Sequence, residues 1–458
     1  MPLRRTIDFA QDFVRSFHPR TLPPMLRANY ARELVSWMFL PLMLGAVEGG
    51  TIAIIVKKAF ANAPGIGASE LDWAVALVMA APNIGNVTSF IWASLSHGRA
   101  KVPFIAALQL VTAILVGFIA AVPESSFGLW LLVALVTLAR TTWSGVLTIR
   151  TAVWGANYPR ADRARIAGKM ATVQSLALAI VGAVIGKAMD VDERAFHVLF
   201  PLAAIGGLVG NTIYRRVRLR GQRRLARAER DGRASDRPTL NPASIVRVLR
   251  DDPMYRRFMA WMFIFGLGNL MLTAPLAIVL NDGFHVSYLQ GILITTAIPA
   301  ALMPLTIPAW SRLLDRRHVV EFRSFHAWAF VLASLLQFLG AIAHSLALFF
   351  AAAAVSGVAF GGGVLAWNLG HHDFAPANRD SQYMGVHVTL NGIRGLMAPF
   401  LAVSIYKYFD TSVTGAGGGG FWVFGVCLVL NVIGALGFLR LRGQMRAATE
   451  DGVLVAGH

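Results

Sequence analysis

The chain has 458 residues, of which 56% are hydrophobic and 14% charged, and its mean hydropathy is +0.57. Soluble domains carry about a quarter charged residues, so a water-soluble fold of this length has too little polar side chain to cover its surface. Disorder and a collagen-like fibre are excluded on the same figures, and a disulfide scaffold is excluded by the single cysteine, Cys427. The formal charge of +18 fits a multi-span membrane protein whose basic loops face anionic lipid.

Residues 6–18, TIDFAQDFVRSFH, place Ile7, Ala10, Phe13, Val14 and Phe17 at helical spacing behind a capping Thr6. This predicts a short helix on the membrane surface, ending before Pro19. Windows of about 20 apolar residues then predict an all-α protein with twelve transmembrane helices. They fall at roughly 34–56, 73–95, 102–122, 128–149, 167–188, 196–214, 258–280, 287–310, 324–343, 346–370, 383–406 and 421–440. The chain thus divides into a segment 1–33, a six-helix lobe 34–214, a basic linker 215–257, a second six-helix lobe 258–440 and a tail 441–458.

The linker carries fourteen arginines and cannot cross a bilayer. It lacks the interleaved aromatics of a nucleic-acid arm, so lipid headgroups are its expected partner and nucleic acid is not. Assigning loops alternately to two sides puts 34 basic residues with the termini and linker. The other side has five: Lys57, Lys58, Lys187, Arg194 and Lys407. The positive-inside rule predicts that both termini and the linker lie in the cytoplasm, with the chain in the cytoplasmic (inner) membrane.

The halves repeat. NYPRADRARIAGKM follows span 4 and DFAPANRDSQYMGV follows span 10, each an aromatic and a proline, then an arginine (Arg163, Arg379), then a glycine opening a new span. After span 2, WASLSHGRAK holds Gly98, Arg99 and Lys101; after span 8, WSRLLDRRH holds Asp315, Arg316 and Arg317. Twelve spans, a six-plus-six repeat and these basic turns resemble the major facilitator superfamily (MFS). Its signature between spans 2 and 3 is glycine, three residues, aspartate, a basic residue, glycine and two basic residues. Here Leu95 or Ser96 stands at the acidic position, and His318 stands where the second turn usually has glycine. The family's drug/proton antiporters carry a glycine-proline pattern in span 5; this span has Gly182 and Gly186 without the proline, a small-residue pair that lets helices approach.

Ionisable groups inside the hydrocarbon are costly, so each is a candidate site residue. Glu48 lies in span 1 before Gly49 and Gly50, and Arg140 lies in span 4 before Trp143. Arg394 lies in span 11, with His387 and Asn391 on its face at i−7 and i−3. The family resemblance implies a cavity lined by the first, fourth, seventh and tenth helices, with Glu48 and Arg140 on one wall. Two readings stay open for that pair: a proton-titrating carboxylate, or a permanent buried ion pair. Two readings stay open for Arg394 as well: with Arg140, a clamp of one arginine per lobe on an anionic group, or a tether to helix-end carbonyls inside its own lobe. Asn83 in span 2 and Asn269 in span 7 add hydrogen-bonding capacity, with Asn86 and Gln174 as similar polar groups. Gly361, Gly362 and Gly363 predict a bend in span 10. His371, His372 and Asp373 are adjacent rather than at i, i+4, so they predict no metal site.

No phosphate-cradling glycine loop is present and no nucleophile–base cluster stands out. The expected function is secondary active transport of a small, anionic solute by a monomer without cofactor, coupled to protons through Glu48. The alternatives are efflux or facilitated diffusion of a neutral or cationic compound, a transporter-like receptor, and a membrane-embedded enzyme.

Overall fold

The computed structural model describes residues 13–231, 242–371, 373–375, 380–412 and 418–450. A bilayer offers no water to backbone N–H and C=O groups, so apolar segments satisfy them internally as helix. The regular elements of the described residues are accordingly all helical.

The first half contains α1 (Pro24–Ala46), α2 (Gly49–Ala59), α3 (Ala68–Val87), α4 (Ser89–Ser96), α5 (Lys101–Phe118), α6 (Ser126–Asn157), α7 (Arg160–Val191) and α8 (Phe196–Tyr214). The linker contains α9 (Gln222–Asp231) and α10 (Pro242–Asp251). The second half contains α11 (Pro253–Met271), α12 (Thr273–Asp282), α13 (Tyr288–Ile292), α14 (Ile298–Leu314), α15 (Val319–Ile342), α16 (Leu346–Leu369), α17 (Asp380–Ser412) and α18 (Trp422–Glu450). Twelve stretches of the described residues are long and apolar enough to cross a membrane, from Pro24–Ala59 to Trp422–Ala447.

The first span opens at Pro24, well before the apolar window, because a proline at the first helical position is already set for helix. Of the N-terminal surface helix, residues 1–12 lie outside the described residues. The part that is described docks on the first lobe: the Tyr30 hydroxyl donates to the Phe17 carbonyl at 3.0 Å, and the Lys169 ammonium donates to the Ser16 carbonyl.

Several spans are interrupted. Span 1 breaks at Val47–Glu48, span 2 at Thr88 and span 7 at Leu272, while span 8 contains a π-helical turn, Leu293–Ala297, between α13 and α14. Such breaks free backbone groups and cluster where function needs them. Span 10 does the opposite of what its glycines predict: α16 runs uninterrupted. Gly361 instead faces Thr306 and Met303 of α14, and Gly362 faces His326 of α15, so the small residues serve close packing.

The two halves are fused on the face opposite the linker. The first half's hydrophobic core takes in Ala274, Ala277, Ile278, Tyr288, Ile292 and Val403 from the second. Gly186 faces the backbone of Leu289, where any Cβ would collide, and Gly182 faces Ile292, so the span 5 pair permits this approach. The second half's linker-side core, built on Tyr255, Phe258, Phe322, Phe330 and Phe438, is a separate cluster.

Candidate functional site

Glu48 occupies the break in span 1. It is the N-cap of α2 (φ −67°, ψ 137°), yet its side chain caps no backbone N–H. It accepts instead from Arg140 Nη1 of α6 at 3.1 Å, with the two side chains 30% and 15% exposed. Gly49 and Gly50 weaken the helix where it breaks, and the break leaves the carboxylate at the positive end of α2. Nearby, Trp143 is buried and tilted against Trp37, with ring centres 5.7 Å apart.

The other predicted residues are distributed differently. Arg394 is 8% exposed and hydrogen-bonded within its own half, Nη1 to the Met262 carbonyl of α11 and Nη2 to Asn391 Oδ1 at 2.6 Å. These bonds are those of a tether inside its own lobe, one of the two roles that its place in the sequence leaves open. His387 is buried edge-on to Trp367. Asn269 donates to the Phe265 carbonyl of its own helix at 3.1 Å. Asn83 lies over Gly395 of α17, where a side chain on that glycine would collide, so it packs between the halves.

On the face opposite the linker, charged groups tie the halves. Lys57 Nζ, 2% exposed, donates to Asp72 at 2.9 Å and to Asp282 of the other half at 2.7 Å. Lys407 approaches Asp72 at 3.8 Å. Asp190 accepts from the backbone N–H of Tyr288 at 2.6 Å and the Ser287 hydroxyl at 2.8 Å, capping α13 from across the interface. Ser175 donates to the Ala300 carbonyl near mid-span. Among the described residues, no hydrogen bond or ion pair joins the halves on the linker side.

The loop after span 2 is held by the linker. Gly98 has φ +69°; its N–H donates to Glu229 Oε2 at 2.6 Å, Lys101 Nζ donates to the same oxygen at 2.7 Å, and Arg230 Nε donates to the Gly98 carbonyl at 2.9 Å. Glu229 of α9 thus supplies to this loop a carboxylate that its own sequence lacks at 95 and 96. Arg99 lies over the Phe104 ring. In the second turn Asp315 closes α14, Arg316 is exposed, and Arg317 pairs with Glu321 at 2.7 Å. Asp373 Oδ2 accepts from the Val319 N–H at 2.6 Å, and burial holds the adjacent His318 imidazole below its usual range against the pull of that carboxylate. His372 and Arg379 lie outside the described residues, and no cluster able to hold a metal occurs among those described.

Sequence reasoning missed several of these groups. Glu33, 2% exposed, accepts from Trp154 Nε1 at 2.6 Å and the Tyr158 hydroxyl at 2.8 Å, while the Arg150 guanidinium lies between the rings of Trp37 and Trp154. Glu33 lies just outside the first apolar window, and Arg150 and Arg323 fall among the 34 basic residues assigned to the side of the linker. The available signal was Tyr30 and Trp37 at i−3 and i+4 from Glu33, an aromatic face with an acid in it.

Solved structures of other transporters share this fold. The nucleoside transporter NupG superposes with a TM-score of 0.63 at 12% identity, covering 90% of this chain and 98% of its own. A POT family transporter in complex with 5-aminolevulinic acid gives 0.63 at 16% identity, covering 90% and 96%. The xylose transporter XylE from E. coli, in a partially occluded inward open conformation, gives 0.58 at 11%, covering 90% and 98%. Comparison with curated protein sequences finds no match. The sequence profile of the Major Facilitator Superfamily matches residues 37–399. With twelve apolar spans in two halves and that match over most of its length, the chain belongs to the Major Facilitator Superfamily.

Proposed function

We propose that the protein is a secondary transporter, and not an enzyme, that carries a small anionic solute across the cytoplasmic membrane by alternating access, with proton binding at Glu48 as the coupling step. The observation that carries this reading is the Glu48–Arg140 pair at the break of span 1. A carboxylate that keeps an arginine occupied is a switch. When Glu48 takes a proton it releases the guanidinium, which is then free to hold an oxyanion. Proton and solute then favour each other's binding, and neither requires a cofactor.

The joined face supports the second element of the reading. The Lys57 and Asp190 bridges close one side, while the linker side has no polar bridge between the halves among the described residues. Rocking the lobes about the site would exchange these two arrangements. The excess of basic loop residues on the linker side supports a cytoplasmic linker and termini. The chain carries both lobes and is proposed to work as a monomer. A cysteine introduced at Arg224 should therefore resist a membrane-impermeant maleimide in intact cells; efficient labelling from outside would reverse the orientation.

The transport reading is tested in proteoliposomes loaded with a pH-sensitive dye. A panel of carboxylates, phosphate esters, nucleosides, peptides and sugars is added with and without an imposed pH gradient. The expected result is proton movement on adding an anionic solute, and accumulation only with the gradient. Solute flux without proton movement would remove the coupling, and a response to sugars alone would remove the anion.

A further inference from the structure

We infer that a small oxyanion, a carboxylate or phosphate group, binds inside the second half at the cluster of Arg323, Arg394 and His387. The inference deepens the transport reading, and rests on it for the anionic solute, by naming a cationic site for such a group in the second half.

Positive charge here is unbalanced. Arg323, Arg394 and His387 are 4%, 8% and 4% exposed. Nε of both arginines and Nε2 of His387 are buried without a hydrogen-bond partner. Among the described residues, neither arginine touches a carboxylate. Two other buried cations of the chain do, Lys57 meeting Asp72 and Lys101 meeting Glu229, whereas buried Lys169 is held by the Ser16 carbonyl and the Thr21 hydroxyl. Here the neighbours make matters worse, because Arg323 lies in the field of Arg394, and His387 in the field of both. Two like charges enclosed together without a counter-charge are costly, and an anion from solution removes the cost.

The remaining bonds orient the cluster without neutralising it. Arg323 Nη1 donates to His326 Nδ1 at 3.2 Å; that ring must then carry its proton on Nε2, which donates to the Ala359 carbonyl at 2.7 Å. His326 is thus a neutral strut. Asn391 and the Met262 carbonyl hold two nitrogens of Arg394, and the absence of a side chain on Gly266 makes room for that guanidinium. What stays unspent is planar N–H donors, the geometry that suits carboxylate or phosphate oxygens. The cluster draws on spans 7, 9, 10 and 11 in the half of the lobe nearer the linker, the side without polar bridges between the halves among the described residues.

The test is thermal stability of the purified full chain in chloride buffer at constant ionic strength, titrated with acetate or inorganic phosphate, and separately with micelles containing an anionic phospholipid. The expected result is a saturable rise in Tm with one of the free oxyanions. Its half-saturating concentration should increase about tenfold to a hundredfold in Arg323→Gln and Arg394→Gln, but not in the exposed control Arg194→Gln. Without added oxyanion, Arg323→Gln should be no less stable than the parent, since it removes an unbalanced charge; a purely structural arginine would give the reverse and overturn the proposal. Arg323→Lys, which keeps the charge but loses the planar fork, should weaken the response as well. An unsaturable rise equal in all variants, or a response to the lipid alone, would also overturn it. None of these readouts involves a proton gradient, so loss of this site leaves the Glu48 reading standing, and loss of coupling leaves this one.

Discussion

Glu48→Gln is expected to abolish accumulation driven by a pH gradient while leaving exchange of solute across the membrane intact. The amide keeps the size of the side chain and can still accept from Arg140, so the break in span 1 persists, but no proton binds. Unchanged uphill transport would take Glu48 out of the coupling step. Arg140→Gln has a different expected effect. It strands the carboxylate beside α6, with the positive end of α2 and partial exposure as its only relief, at a cost of about 1–2 kcal/mol. The double change Glu48→Gln with Arg140→Gln should recover most of that stability, because neither charge is left alone. Heat inactivation of the three variants in detergent measures this, and a double variant no better than Arg140→Gln would show that the pair does not balance itself.

Lys57→Met should open the face opposite the linker. Lys57 is the shared donor of an acid from each half, and losing it leaves Asp72, 8% exposed, facing Asp282 without their common cation. Breaking an enclosed pair costs about 3–5 kcal/mol. Asp282 is 39% exposed and Lys407 stands near Asp72, which lowers the expectation to about 2 kcal/mol. That is enough to shift a two-state equilibrium roughly thirtyfold. Spin labels at Asn62 and Ala343, both exposed on that face, would report it as a longer-distance population; the native background is a single buried cysteine. An unchanged distance distribution would mean that the apolar contact of Ile54 with Gly291 and the Asp190 cap hold the face closed without the lysine.

Apolar runs of bilayer length, separated by charged turns, determined the helical fold, the number of spans and the division into halves, because a backbone in lipid has one economical way to satisfy itself. The same reasoning marked Glu48 and Arg140, since a charge within such a run is conspicuous wherever it points. Partners are another matter. The sequence left Arg394 either facing Arg140 or tied to a carbonyl of its own lobe, and packing supplied the carbonyl, that of Met262. It assigns Lys57, Arg150 and Arg323 to loops, since each stands near the end of an apolar window; only packing decided that Lys57 and Arg323 are enclosed and that Arg150 lies over two tryptophan rings. It found no acid for the loop at Gly98, and the tertiary structure brought Glu229 from 131 residues away. Composition and periodicity thus determined which segments lie in the membrane, through solvation of the backbone. Which charge answers which was decided by helix packing, because hydrogen bonds between side chains depend on distances that no local pattern encodes.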